Sequence, residues 1–119
     1  MKTILVVEDQ AELRETVVEI LEYEGFQVIA APNGQVAFEL ATDHLPDLIL
    51  SDLMMPVLDG YGLLELLRHH EPTAGIPIFF FSGVNDDRKD KINLPNVRFI
   101  TKPFDVKQFV TLLSKTLNI

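Results

Sequence analysis

The sequence predicts an α/β protein, a three-layer sandwich in which a parallel sheet lies between helices. Three observations predict it. Five short apolar runs alternate with stretches whose apolar residues recur at helical spacing, the pattern of strands joined by helical crossovers. The central runs, such as Leu48-Ile49-Leu50, are apolar without alternation, as strands buried on both faces are. Four of the five runs also stop on polar residues that carry chemistry, and in a parallel sheet those ends share one edge.

Taken in order, Ile4-Leu5-Val6-Val7 is the first strand and ends on Glu8-Asp9. Residues 11–24 place Leu13, Val17, Ile20 and Leu21 on one helical face, and Gly25 suits the helix C-cap. Asp9 and Glu12 fit a loose capping box, so Asp9 has a capping role open to it beside a ligand role. Capping gives no reason for Glu8 to stand next to it, and adjacent carboxylates repel unless a cation offsets them. Phe26-Gln27-Val28-Ile29-Ala30 reads as the second strand. Asn33 caps a helix that turns Val36, Ala37, Leu40 and Ala41 to the core. The third strand runs to Asp52 and is followed by a loop through Pro56 to Asp59-Gly60. Leu63, Leu64 and Leu67 then mark a helix ending near His69-His70, a pair that suits a helix C-terminus better than a shared metal site. Ile76-Pro77-Ile78-Phe79-Phe80-Phe81 is the fourth strand and ends on Ser82-Gly83. Val97-Arg98-Phe99-Ile100-Thr101 is the fifth and ends on Lys102-Pro103. Behind Asp105 as cap, Val106, Phe109, Val110, Leu113 and Leu117 pattern the last helix.

Composition bounds the function classes. The 119 residues fit one domain spanning 1–119, large enough to bury about two-thirds of its unfolded surface. A net charge of −8 without a Lys/Arg cluster argues against a nucleic-acid partner. The lack of cysteine removes disulfides, thiolate metal sites and Cys nucleophiles, and suits a reducing, cytoplasmic setting. No apolar run reaches the ~18 residues of a membrane span, and Met1-Lys2-Thr3 leads directly into a strand, so no membrane partner is expected.

The shared edge of the sheet therefore collects Glu8, Asp9, Asp52, Ser82 and Lys102. Oxygen ligands without His or Cys select a hard cation, and two or three carboxylates with room for water suit Mg²⁺. A carboxylate beside such an ion can attack phosphorus to give an aspartyl phosphate, with lysine and hydroxyl sharing charge on the transferred oxygens.

With these residues in place, the chain resembles, over essentially its whole length, a response-regulator receiver domain of two-component signalling, similar to the chemotaxis regulators. The acidic pair of that family matches Glu8-Asp9 and its phosphoacceptor matches Asp52 in Ser51-Asp52-Leu53-Met54-Met55-Pro56. Its switch hydroxyl matches Ser82, its lysine Lys102, and its switch aromatic Phe99. The resemblance implies a flavodoxin-like (βα)5 fold with sheet order 2-1-3-4-5, the Met54 backbone carbonyl as a metal ligand beside Glu8, Asp9 and Asp52, and a cis bond before Pro103. It implies Mg²⁺ (or Mn²⁺) as cofactor, with Glu8 binding directly or through water.

The expected function is a phosphorylation-dependent switch rather than a turnover enzyme. A histidine kinase or histidine phosphotransfer protein donates the phosphoryl group to Asp52, and a downstream protein effector reads the result. That effector is a separate protein, or the chain is a piece of a longer one. The alternative is a phosphorylation-independent binding module, which has no need of the full set of site residues; a phosphohydrolase usually wants a second acid, and the residue two beyond Asp52 is the apolar Met54. The resemblance places Met54 and Val84 beside the path of the attacking water, and since both are apolar, slow self-dephosphorylation is expected. Residues 85–96 depart from the family pattern. They offer few apolar anchors, and Pro95 disfavours a helix at Leu94, so a helix there is expected either to be short, ending by about Ile92, or to be mobile and among the first segments to open. The resemblance puts partner contacts on that surface, so a monomer or weak dimer is expected.

Overall fold

Register explains how nearly every described side chain of the three central strands comes to be buried. Strands β1 (Thr3–Val7), β2 (Gln27–Ala31), β3 (Leu48–Asp52), β4 (Ile78–Ser82) and β5 (Val97–Thr101) form one parallel sheet in the order 2-1-3-4-5. The computed structural model describes residues 1–55, 57–82, 96–101 and 105–118, with Ser82 and Thr101 described by backbone alone. Four α-helices lie among these residues: α1 (Ala11–Tyr23), α2 (Gly34–His44), α3 (Gly60–Arg68) and α4 (Val106–Leu117). The expected short helix ending near Ile92 falls on 83–95, outside the described residues, and so do Val84, Pro56, Lys102 and Pro103 with its expected cis bond.

Successive side chains of a strand point to opposite faces, and here each face meets helices. Leu5, Val7, Ile49, Ile78 and Phe80 pack with Ala37, Ala41, Leu63, Leu64 and Leu67 of α2 and α3. Ile4, Val6, Leu48, Leu50, Phe79 and Phe81 pack on the other face with Val17 and Leu21 of α1 and Phe109, Leu113 and Leu117 of α4. The sandwich is thus three-layered, and the unalternated strands of the sequence have this cause. Each fully buried Leu, Ile or Phe contributes ~1.5–3 kcal/mol, so the central strands supply much of the burial that holds the fold together.

Starts of the four helices follow the local chemistry with one exception. Asn33 Oδ1 accepts from Val36 N–H at 2.9 Å, and Asp105 accepts from Lys107 and Gln108 N–H, so both expected caps form. Helix α1 ends in a left-handed Gly25 at φ 95°, with Gly25 N–H donating to Glu22 O and Phe26 N–H to Leu21 O. That double bond pattern seats Phe26 against Leu21 in the core. Phe26 therefore belongs to the turn, and β2 runs one residue later than the sequence pattern suggests. Likewise β4 begins at Ile78, after Pro77, since proline donates nothing to a ladder. The exception is Asp9. The residue at the start of α1 is Gln10, and no side chain caps it, so the loose capping box open to Asp9 and Glu12 does not form.

The adjacent histidines sit where a helix C-terminus was expected. Helix α3 ends at Arg68 with His69 as its cap residue, and His70 packs edge-on against Phe38 of α2 at 5.7 Å.

Candidate functional site

The order 2-1-3-4-5 reverses direction between β1 and β3, and a crevice opens beyond their carboxyl ends at such a switch point. Val7 pairs with Ser51 in register, so the residues one step on, Glu8 and Asp52, emerge at the same height from neighbouring strands. Asp9 follows Glu8 into the loop. Carboxylate oxygens of Glu8, Asp9 and Asp52 all lie within 4.8 Å of one another. Glu8 is buried, Asp52 partly buried and Asp9 exposed, so the cluster is a shallow cup with one wall in the core.

The Glu8 carboxyl is pushed up from 4.5 to about 7. Burial is the largest cause, followed by its hydrogen bond with the Asp9 side chain. The Gln10 N–H, which donates to Glu8 Oε2 at 3.0 Å, works the other way by stabilising the charged form. Repulsion from Asp52 and Asp9 adds to the upward shift. Three carboxylates in one cup thus cost free energy when all are ionised. An all-oxygen donor set with this unmet charge fits a hard divalent cation, and both histidines of the α3 end lie outside the cluster.

The backbone around Asp52 is held from several sides. Ser51 Oγ donates to the Asp52 carbonyl at 2.8 Å, and Gly60 N–H donates to the Leu53 carbonyl at 2.9 Å. A side chain at Gly60 would stand 2.9 Å from the Asp52 carbonyl and 2.8 Å from the Phe80 ring, so only glycine lets α3 begin this close to the strand end. Asp59 caps α3 by accepting from Gly62 N–H at 2.8 Å. Met54, two residues beyond Asp52, is 69% exposed.

Other expected site residues are placed in part. Phe99 is half-buried on β5 and packs against Phe80 with ring centroids 5.6 Å apart. Ser82 ends β4, the strand next to Asp52's own, which is the position expected of it, while its side chain lies outside the described residues with Lys102 and Pro103. Sequence reasoning passed over Arg14. Its guanidinium, one helical turn into α1, donates to the Glu8 carbonyl at 2.8 Å and so ties the acidic loop to the helix. No pattern marks it, because the contact is with backbone and an Arg on an amphipathic helix is ordinary. The Leu58 carbonyl, which accepts from Gly34 N–H at 3.2 Å, escaped notice for the same reason.

A parallel sheet of this order, with its polar groups gathered at the carboxyl ends of β1 and β3, defines the flavodoxin-like class of α/β proteins. Within it the chain belongs to the response regulator receiver domain family, whose model matches residues 4–114. It is 39% identical over 112 residues to the probable transcriptional regulator ycf29 of Porphyra purpurea, covering 92% of this chain and 54% of that protein. With the chemotaxis protein CheY of Bacillus subtilis it shares 35% identity over 116 residues, 97% of either chain. The chain spans about half the length of the transcriptional regulators it matches. Their names run against the expectation that nucleic acid has no part in this protein's role. Among solved structures, the signal receiver domain of a histidine kinase from Syntrophus aciditrophicus superposes with a TM-score of 0.89 at 30% identity, covering 99% of this chain and 91% of that one. The receiver domain of sensor histidine kinase PA1611 from Pseudomonas aeruginosa PAO1, solved with magnesium in its active-site cleft, reaches 0.85 at 28% identity over 99% and 98% of the two chains. No helix among the described residues is long and apolar enough to cross a membrane.

Proposed function

We propose that this chain is a single phosphoacceptor domain in which Asp52 takes a phosphoryl group from a histidine kinase or histidine phosphotransfer protein. The observation that carries the reading is the convergence of Glu8, Asp9 and Asp52 within 4.8 Å, with one of the three buried and raised in pKa. Glu8, Asp9, Asp52 and the Met54 carbonyl hold Mg²⁺ (or Mn²⁺), which supplies positive charge for the carboxylates and the incoming phosphoryl oxygens. The magnesium in the PA1611 domain supports this assignment.

In the transfer, an Asp52 carboxylate oxygen forms a bond to phosphorus as the bond from phosphorus to the donor's imidazole nitrogen breaks. Asp52 is well placed because its backbone is fixed by Ser51 and by the start of α3, so little reorganisation is needed to present the oxygen. Lys102 and Ser82 bind phosphoryl oxygens, and Phe99 leaves its place on Phe80 as Ser82 moves inward. The added charge and acceptor oxygens shift the population of the β4–β5 side of the domain, and a downstream protein reads that shift. In a longer protein, action at DNA would fall to parts outside the matched half.

Incubation with a small phosphoramidate donor and Mg²⁺ should yield an acyl phosphate on wild type and none on Asp52→Asn, which keeps the side chain's shape and removes its nucleophilic charge. Equal labelling of Asp52→Asn would refute the acceptor assignment, and no labelling of wild type would favour a binding module that works without phosphorylation.

A further inference from the structure

Leu58 sits between the starts of two helices. Its carbonyl accepts from the N–H of Gly34, the first residue of α2, at 3.2 Å. A Cβ built at Gly34 would lie 2.5 Å from that carbonyl oxygen and 3.1 Å from Leu58 Cβ and Cγ. A Cβ at Gly62, in the first turn of α3, would lie 2.5 Å from Leu58 Cδ1. The two approaches differ in kind. The second meets the far end of a flexible side chain, which can rotate away. The first meets a backbone oxygen, so a side chain at Gly34 has to push the loop itself.

That loop is the one that leaves Asp52. Its near end is fixed by Gly60 N–H on the Leu53 carbonyl at 2.9 Å and by the contact of Gly60 with the Asp52 carbonyl. Its far end is fixed by α2 through Gly34 and Leu58. Val57, beside Leu58, is held at φ 73°, a left-handed conformation that β-branched residues disfavour. Such a residue persists only where its neighbours over-determine it, and two helix starts do so here.

We propose that Leu58 is a positioning residue for the acidic site and Gly34 its seat, so that helix α2 sets where the loop carrying Met54 stands relative to Glu8, Asp9 and Asp52. The inference rests on the reading of that cluster as a Mg²⁺ site. Both act through the ends of that loop, at Leu53 and at Leu58.

The test is a calorimetric titration of the full chain with Mg²⁺ alone, in wild type, Gly34→Ala, Leu58→Ala, Asp9→Ala and Ala41→Gly. The last lies in the same helix and buries its side chain fully, so it lowers stability without reaching the loop. Gly34→Ala is expected to weaken Mg²⁺ binding about tenfold, the scale on which supporting contacts around a metal act, with Leu58→Ala shifted in the same direction and Ala41→Gly unchanged. In the metal-free protein the backbone amide resonances of Leu53, Met54 and Gly60 should move in Gly34→Ala and stay in place in Ala41→Gly. Leu58→Ala keeps the sequence of α2 and the carbonyl on Gly34 and removes only the side chain between the two helix starts, so it decides the matter if Gly34→Ala does not fold. Wild-type binding that Asp9→Ala abolishes, but that both Gly34→Ala and Leu58→Ala retain in full, would overturn the positioning role alone. Absent binding in wild type, or binding indifferent to Asp9→Ala, would overturn the metal reading and the positioning role with it.

Discussion

The Gln10 N–H donates to Glu8 Oε2 at 3.0 Å, and Gln10, not Asp9, is the residue from which helix α1 starts. Glu8 thereby braces the turn, and Asp9 is released from the capping role its position suggests.

Asp9→Ala should accordingly leave stability within about 0.5 kcal/mol of wild type, as surface substitutions usually do, while Mg²⁺ affinity falls sharply. Chemical denaturation and a Mg²⁺ titration on the same samples read the two quantities. A loss of about 1 kcal/mol with unchanged metal affinity would restore the capping role instead.

The Glu8 carboxyl, raised from 4.5 to about 7, makes stability depend on pH in a defined direction. Between those values the folded, metal-free protein holds a proton that the unfolded chain has released, so the group's contribution is complete below 4.5 and is lost as pH rises to about 7. Glu8→Gln removes the titration, and the difference between wild-type and variant stability should slope across that window and flatten above it. Mg²⁺ competes with the same proton, so its affinity in wild type should climb over the same range. A difference that is flat across the window would show that Glu8 titrates alike in both states.

Val57 and Gly25 occupy similar backbone conformations, at φ 73° and 95°, with opposite residue types. The left-handed region costs a residue with a Cβ about 1–2 kcal/mol, set against ~0.5–1 kcal/mol for the extra freedom of glycine when unfolded. Val57→Gly should hold or raise the denaturation midpoint, and Gly25→Ala should lower it although open space surrounds that position. A Val57→Gly protein destabilised as much as Gly25→Ala would mean that the valine side chain, 81% exposed, contributes contacts that outweigh its strain.

Met54 is 69% exposed and apolar at the rim of the cup, two residues beyond Asp52. It has no group to orient an attacking water by hydrogen bonding. Met54→Asn should shorten the lifetime of the phosphorylated protein with stability nearly unchanged, measured as the decay of labelled acyl phosphate after the donor is removed. Identical decay in the two proteins would remove Met54 from the control of hydrolysis.

Patterns that act over a few residues were legible without coordinates. The unalternated run Leu48-Ile49-Leu50 announced a strand buried on both faces, and the spacing of Leu63, Leu64 and Leu67 announced the buried side of α3. Asn33 and Asp105 declared helix starts, because a cap is satisfied by an N–H two or three residues away. Carboxylates at strand ends were legible as one cluster once the strands were known to be parallel, since the geometry of a parallel sheet gathers those ends whatever lies between them. What the tertiary structure alone decided has a different physical origin. That Gln10 and not Asp9 starts α1 depends on Glu8 being drawn under the turn by burial in the core. That Arg14 holds the Glu8 carbonyl six residues back, and that Gly34 seats the Leu58 carbonyl from a distant element, depends on backbone acceptors that meet their donors only once the chain is folded. Every residue offers the same backbone atoms, so such contacts leave no mark on residue type, and the height of the loop beyond Asp52 is set by packing rather than by any pattern along the chain.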